Sequence, residues 1–184
     1  SQAARRVLLV ACSTALAAAF AVSLPRPADA ARVTPPDVPT EIQVEEGNIA
    51  FLQGLGVGTQ NYICLPCPNP TTPAIQCPDT SGFAWLLFTP EATLFKDNDK
   101  QLTTHFFSPN PDESGRIRAA WQHSKDSSTV WRGTATPSFD PDFVAEDAIP
   151  WLRLPVAGVQ EGPTGGDTLT KTTFIQRVNT AGGL

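Results

Sequence analysis

A chain of 184 residues with 41% hydrophobic and 17% charged side chains has the composition of a packed protein, which excludes disorder over most of its length. Its formal net charge of -5 excludes non-specific nucleic-acid binding, which requires a basic surface.

At the N-terminus, Arg5-Arg6 precede an apolar run from Val7 to Leu24, and Ala28-Asp29-Ala30 follows with small residues at the flanking positions. This pattern predicts a secretory signal over residues 1–30, cleaved before Ala31. Two alternatives share the same residues. The apolar run is long enough for an uncleaved membrane anchor. Leu9-Val10-Ala11-Cys12 also has the look of a lipobox, although the apolar run continues past the cysteine. The expectation is export to the periplasm or the extracellular space, as a mature form that does not span the membrane. Loss of Arg5, Arg6 and Arg26 against Asp29 leaves that form more acidic than the full chain.

Residues 31–40 carry Pro35, Pro36 and Pro39 without periodicity and read as an extended lead-in to one domain over residues 41–184. Short apolar pieces follow at Ile42-Gln43-Val44 and Asn48 to Leu52. The stretch from Gly54 to Cys64 alternates in the manner of a bulged strand. Gly54-x-Gly56 is not a dinucleotide fingerprint, because Thr59 stands where a third glycine is needed and no helical pattern follows. No nucleotide partner is expected.

Cys64, Cys67 and Cys77 remain after removal of the signal. In an oxidising compartment a structural disulfide is the default. The Cys64-Leu65-Pro66-Cys67 spacing resembles a redox motif, but the prolines at 68, 70 and 73 forbid the helix that would activate the thiol. A zinc site lacks a fourth ligand. Pairing of Cys77 with Cys64 or with Cys67 would staple the proline-rich loop and leave one thiol over.

Gly82 to Phe107 is the densest apolar run of the mature chain. A polar turn, Lys96 to Lys100, divides it into two strands, with Pro90 a possible break in the first. A second hairpin is predicted from Arg118–His123 and Thr129–Arg132. It places Trp121 opposite Trp131 or, with a loop one residue longer, opposite Arg132. Pro137 to Asp147 reads as a solvated acidic loop, because Asp140, Asp142, Glu146 and Asp147 lack the order of a calcium loop. A third hairpin is expected from Ile149–Val159 and the Thr-rich Thr168–Asn179. With no amphipathic helix in the mature chain, the reading is an all-β, single-domain antiparallel sandwich or barrel with hairpins and long Pro/Gly-rich loops.

Several of these segments also carry a resemblance. Gly58-Thr59-Gln60-x-Tyr62-x-Cys64, Trp85 with Pro90 to Phe95, and Thr104-His105-Phe106-Phe107 come first; Ala148 to Leu152 and Phe174 to Gly183 follow. In this order they resemble the domain of unknown function 3455 family over roughly residues 38–183. The family comprises secreted bacterial and fungal proteins with no established activity. Some fungal members carry a malate dehydrogenase label, which the failed glycine fingerprint argues against here. The resemblance implies a chain truncated at its C-terminus, with a further strand and a partner for the odd cysteine beyond Leu184. It supplies no catalytic residues.

Two functional readings follow from the residues. In the first, the protein is a non-catalytic binding or surface-associated module with no cofactor, and its partner is a polysaccharide or cell-surface component. Trp121 and Trp131 are then the ligand-stacking candidates, while Trp85 and Trp151, among aliphatic neighbours, are core. In the second, His105 and His123 hold a metal ion with an acidic neighbour such as Asp112 or Glu113, in a metal-dependent or carbohydrate-active enzyme. No Gly-x-Ser-x-Gly or Cys-His arrangement supports a serine or cysteine hydrolase.

Overall fold

The computed structural model describes residues 33–67, 77, 82–96 and 99–183. The expected signal segment, most of the proline-rich loop and the Asp97-Asn98 turn lie outside these. Eight strands follow in order: β1 (Leu55–Pro66), β2 (Phe83–Phe95), β3 (Gln101–Asn110), β4 (Arg116–His123), β5 (Thr129–Arg132), β6 (Thr136–Ser138), β7 (Trp151–Gln160) and β8 (Phe174–Arg177). Every pairing is antiparallel. The all-β expectation holds, and the sheet curls into a half-barrel.

The path is a meander. β5 and β6 lie end to end along one side of β7, from Thr129 opposite Gln160 to Ser138 opposite Trp151. The Gly133 amide donates to the Pro155 carbonyl at 2.6 Å and joins the two segments. β8 takes the other side of the first half of β7. Short turns join β2 through β6, which makes that part of the topology inexpensive in loop entropy, whereas longer connections separate β1 from β2, β6 from β7 and β7 from β8.

Three details differ from expectation. β2 runs unbroken through Pro90, which faces Gln60. The β2–β3 ladder begins only at Ala92, so on its other side Pro90 stands at an edge where its missing N–H leaves no ladder incomplete. In the second hairpin Trp121 faces Val130 and Trp131 faces Ala120, so neither expected register forms. The last strand is short: Thr168 to Thr172 form turns, because Asp126 takes the Thr168 amide and hydroxyl.

Alternation along the strands sorts side chains onto two faces. The inner face collects Ala119 and Trp121 of β4, Val130 of β5 and Leu154 of β7. Leu169 joins them, and Leu94, Phe107, Leu152, Val156, Val159 and Ile175 pack around them. On the outer face of β7, Trp151 is buried with Ile42, which follows the lead-in, and with Val144 and Ala148 of the 139–148 loop. Ile42 ends a single 3-10 turn, Thr40–Ile42, that is tied to β6 by the Ser138 hydroxyl donating to the Glu41 carboxylate.

The β3–β4 turn folds against β7. Asn110 Nδ2 donates to the Ala157 carbonyl at 3.3 Å, and Asp112 Oδ2 accepts from the Val159 amide at 3.2 Å. A methyl group at Gly158 would collide with the Asn110 amide. Glu113 braces the turn by taking Arg118 Nε and Nη2 at 2.7 and 2.6 Å. The Arg118 hydrogen bond, seconded by Asn110, holds the Glu113 carboxyl down at about 2.

Candidate functional site

β1 and β2 pair along Leu55–Pro66 and Phe83–Phe95, whereas β3 pairs with β2 only from Ala92 to Phe95. The far half of the β1–β2 hairpin is therefore a two-stranded arm that leaves the sheet. A register slip between Asn61 and Tyr62 marks its start, as expected where a bulge bends a ribbon. At its tip Cys67 and Cys77 form a disulfide, and the Cys67 amide donates to the Gly82 carbonyl at 2.9 Å. Of the two pairings open from sequence, Cys67–Cys77 is the one formed. Cys64 is free and exposed.

One side of this arm is aromatic. Trp85 faces Cys64, Leu87 faces Tyr62, and Phe83 faces Pro66, so these side chains share a face. Trp85 is 72% exposed, and Phe83, Phe88 and Tyr62 are also open to solvent. Trp85 was expected in the core. Its aliphatic neighbours point to the core, but among the described residues no layer beyond β3 covers the Trp85 side. Trp121, Trp131 and Trp151 are all at most 9% exposed. Trp121 lies on the inner face and Trp131, by alternation, on the outer one, so these two expected ligand-stacking residues do not form a common platform.

A second group of polar side chains lies on the inner face. His105 on β3 faces Trp121 on β4, and their rings stack with centroids 4.0 Å apart and planes 14° from parallel. His105 Nδ1–H donates to the Ala120 carbonyl at 2.9 Å. Burial pushes the imidazole down to about 4 against the effect of that hydrogen bond, and the charges of Arg177 and Arg132 push the same way as burial. Arg132 faces Val156, and Arg177 faces Leu152, on the same inner face. The curl brings β8 within electrostatic reach of both β3 and β1: Arg177 feels Arg132 and Tyr62 as well as His105. Of His105, Arg132 and Arg177, sequence patterns singled out His105 alone as a site residue. The convergence of Arg132 and Arg177 depends on curvature that no local spacing encodes.

His123 stands two residues beyond Trp121 and faces Thr103, so it shares the inner face with His105 but has a different partner. Its Nδ1–H donates to Asp126 Oδ1 at 2.9 Å. The same carboxylate accepts from the Ser128 amide and hydroxyl at 3.0 and 2.7 Å, and from the Thr168 amide and hydroxyl at 3.1 and 2.5 Å. Burial works to raise the Asp126 pKa, but hydrogen bonds from Thr168 and Ser128 outweigh it and hold the carboxyl well below the usual range. Gly162 and Gly166 pass so close to Asp126 that a methyl group on either would collide with it. Asp126 thus pins the β4–β5 turn to the β7–β8 loop.

The acidic residues named with the histidines are also engaged: Asp112 with Val159, and Glu113 with Arg118 and Asn110. Among the described residues no group of three or more His, Cys, Asp or Glu is placed to hold a metal ion. In the acidic loop, Asp140 Oδ1 accepts from the Asp142 amide at 3.0 Å in a local turn. Comparison of the chain with known protein families, curated proteins and solved structures returns no match.

Proposed function

We propose that this is an exported, non-catalytic binding module that recognises a polysaccharide or related cell-surface component through the aromatic side of the β1–β2 arm. The observation that carries the reading is the exposure of Trp85 on a face shared with Phe83 and Tyr62. Alternate residues on a strand stand about 7 Å apart, so Phe83 and Trp85 present two rings in a row. Aromatic faces stack on the flat, apolar faces of sugar rings and bury large area at low entropic cost. Neither arm strand carries a charged side chain except Glu91 near its base, which suits a neutral partner better than a charged one.

Export is supported by the signal-like residues 1–30, by the Cys67–Cys77 disulfide and by the resemblance to a family of secreted proteins. Among the described residues no helix is long and apolar enough to cross a membrane. Co-sedimentation with insoluble polysaccharides tests the reading. Protein lacking residues 1–30 is expected to partition to at least one of them, and Trp85→Ala to remain in the supernatant. Equal partitioning of the two proteins would contradict the assignment of the arm.

A further inference from the structure

Two arginines on the inner face have no carboxylate partner among the described residues. Carboxylates pair instead with Arg118, Arg153 and His123. Arg177 donates from Nε and Nη2 to the Pro150 carbonyl at 3.1 and 2.7 Å, and Arg132 donates from Nη1 to the Gly133 carbonyl at 3.0 Å. A guanidinium carries five N–H donors, so each keeps several unused. Both side chains are half-buried, and burial lowers the pKa of each. The charge of Arg132 acts on Arg177 across the inner face, and an anion reached by both would relieve the repulsion and the missing solvation.

The surroundings fit the same occupant. The His105–Trp121 stack is flat and uncharged, and at neutral pH His105 adds neither a cation to the repulsion nor an anion to compete. Leu152, Val156 and Ile175 pack against the core cluster to which Trp121 belongs. Tyr62 lies on the side of the arm that continues into this face. We infer that Arg132 and Arg177 form a binding site for an oxyanion, a carboxylate, sulfate or phosphate group, held against the His105–Trp121 stack. Paired N–H groups of a guanidinium match the spacing of two oxygens on such a group. This site borders the arm at Tyr62 but uses neither Phe83 nor Trp85, so the two assignments stand or fall independently.

The test uses side-chain Nε–H resonances of protein lacking residues 1–30, titrated at constant ionic strength with inorganic sulfate, inorganic phosphate or sodium galacturonate, chloride being the balancing salt. Saturable shifts are expected at both Arg132 and Arg177 with at least one of the three, and the tightest of them names the anionic group. Arg132→Gln should weaken that binding about tenfold or more, as loss of one charge-assisted contact implies. Absence of saturation with all three, or unchanged affinity in Arg132→Gln, would overturn the site. Arg177→Gln risks unfolding because Arg177 also holds Pro150; Arg132 makes one bond to its neighbour's carbonyl, so its variant decides the question alone.

Discussion

The His105 imidazole lies flat on the Trp121 indole, 4.0 Å between centroids, while its Nδ1–H is tied to the Ala120 carbonyl behind it. Burial among neighbours that include two arginines keeps the ring neutral down to about pH 4. In the unfolded chain an ordinary histidine protonates near pH 6.5. Between these values the unfolded state binds the extra proton, so the stability from neutral His105 is fully present above pH 6.5 and lost as pH falls toward 4. The loss is on the order of 2 kcal/mol after allowance for partial solvent exposure. Urea unfolding at pH 7.5 and 5 should show it, and His105→Phe, which keeps a ring on Trp121, should flatten the difference. An unchanged pH slope in the variant would contradict this account of the site.

Asp126 accepts from His123, Ser128 and Thr168. Asp126→Ala leaves those donors without an acceptor and is expected to cost on the order of 2 kcal/mol. Asp126→Asn, which keeps one carbonyl oxygen, should cost less. Denaturant midpoints of the two variants check the order, and equal losses would mean that the carboxylate is not the tie between the β4–β5 turn and the β7–β8 loop.

Gly158 offers a steric test of the β3–β4 turn. Gly158→Ala should destabilise by roughly 1–3 kcal/mol, because the added methyl must displace Asn110. In an Asn110→Ala background the same substitution should cost clearly less, a coupling read from a double-mutant cycle. Additive effects would show that the Asn110 side chain does not pack against this glycine.

Under native conditions one thiol, Cys64, should react with a soluble reagent in protein lacking residues 1–30. Replacing Cys67 and Cys77 by serine should lower stability by about 2–3 kcal/mol, the loop-closure entropy of a short bridge. The fluctuation should be confined to the arm, visible as faster amide exchange in Phe83 to Leu87 than in β4. A reactive Cys67 or Cys77 in the native protein would argue against the bridge.

Much of the fold could be read from local pattern. The β2–β3 and β4–β5 hairpins fall where alternation and turn residues put them, and Trp151 is in the core. The failures share a cause: local pattern does not say which neighbour covers a face. Trp85, flanked by Ala84 and Leu86, has the same apolar surroundings whether β3 continues alongside or stops short, and here it stops short. Thr168 to Thr173 alternate like a strand, but Asp126, distant in sequence, holds their first residue in a turn. Arg132 reads from sequence only as the last residue of the second hairpin. Only the curl of the sheet gives it Arg177 and His105 as neighbours.

The exposed Trp85 makes the central claim measurable in one titration. With Trp121, Trp131 and Trp151 buried, a ligand-induced change in the solvent-exposed component of the fluorescence reports on Trp85. Titration with soluble oligosaccharides is expected to shift that emission to shorter wavelength and shield it from iodide, with both effects lost in Trp85→Ala. Unshifted emission and unchanged quenching throughout, or a shift that survives in Trp85→Ala, would contradict recognition of sugars by the β1–β2 arm.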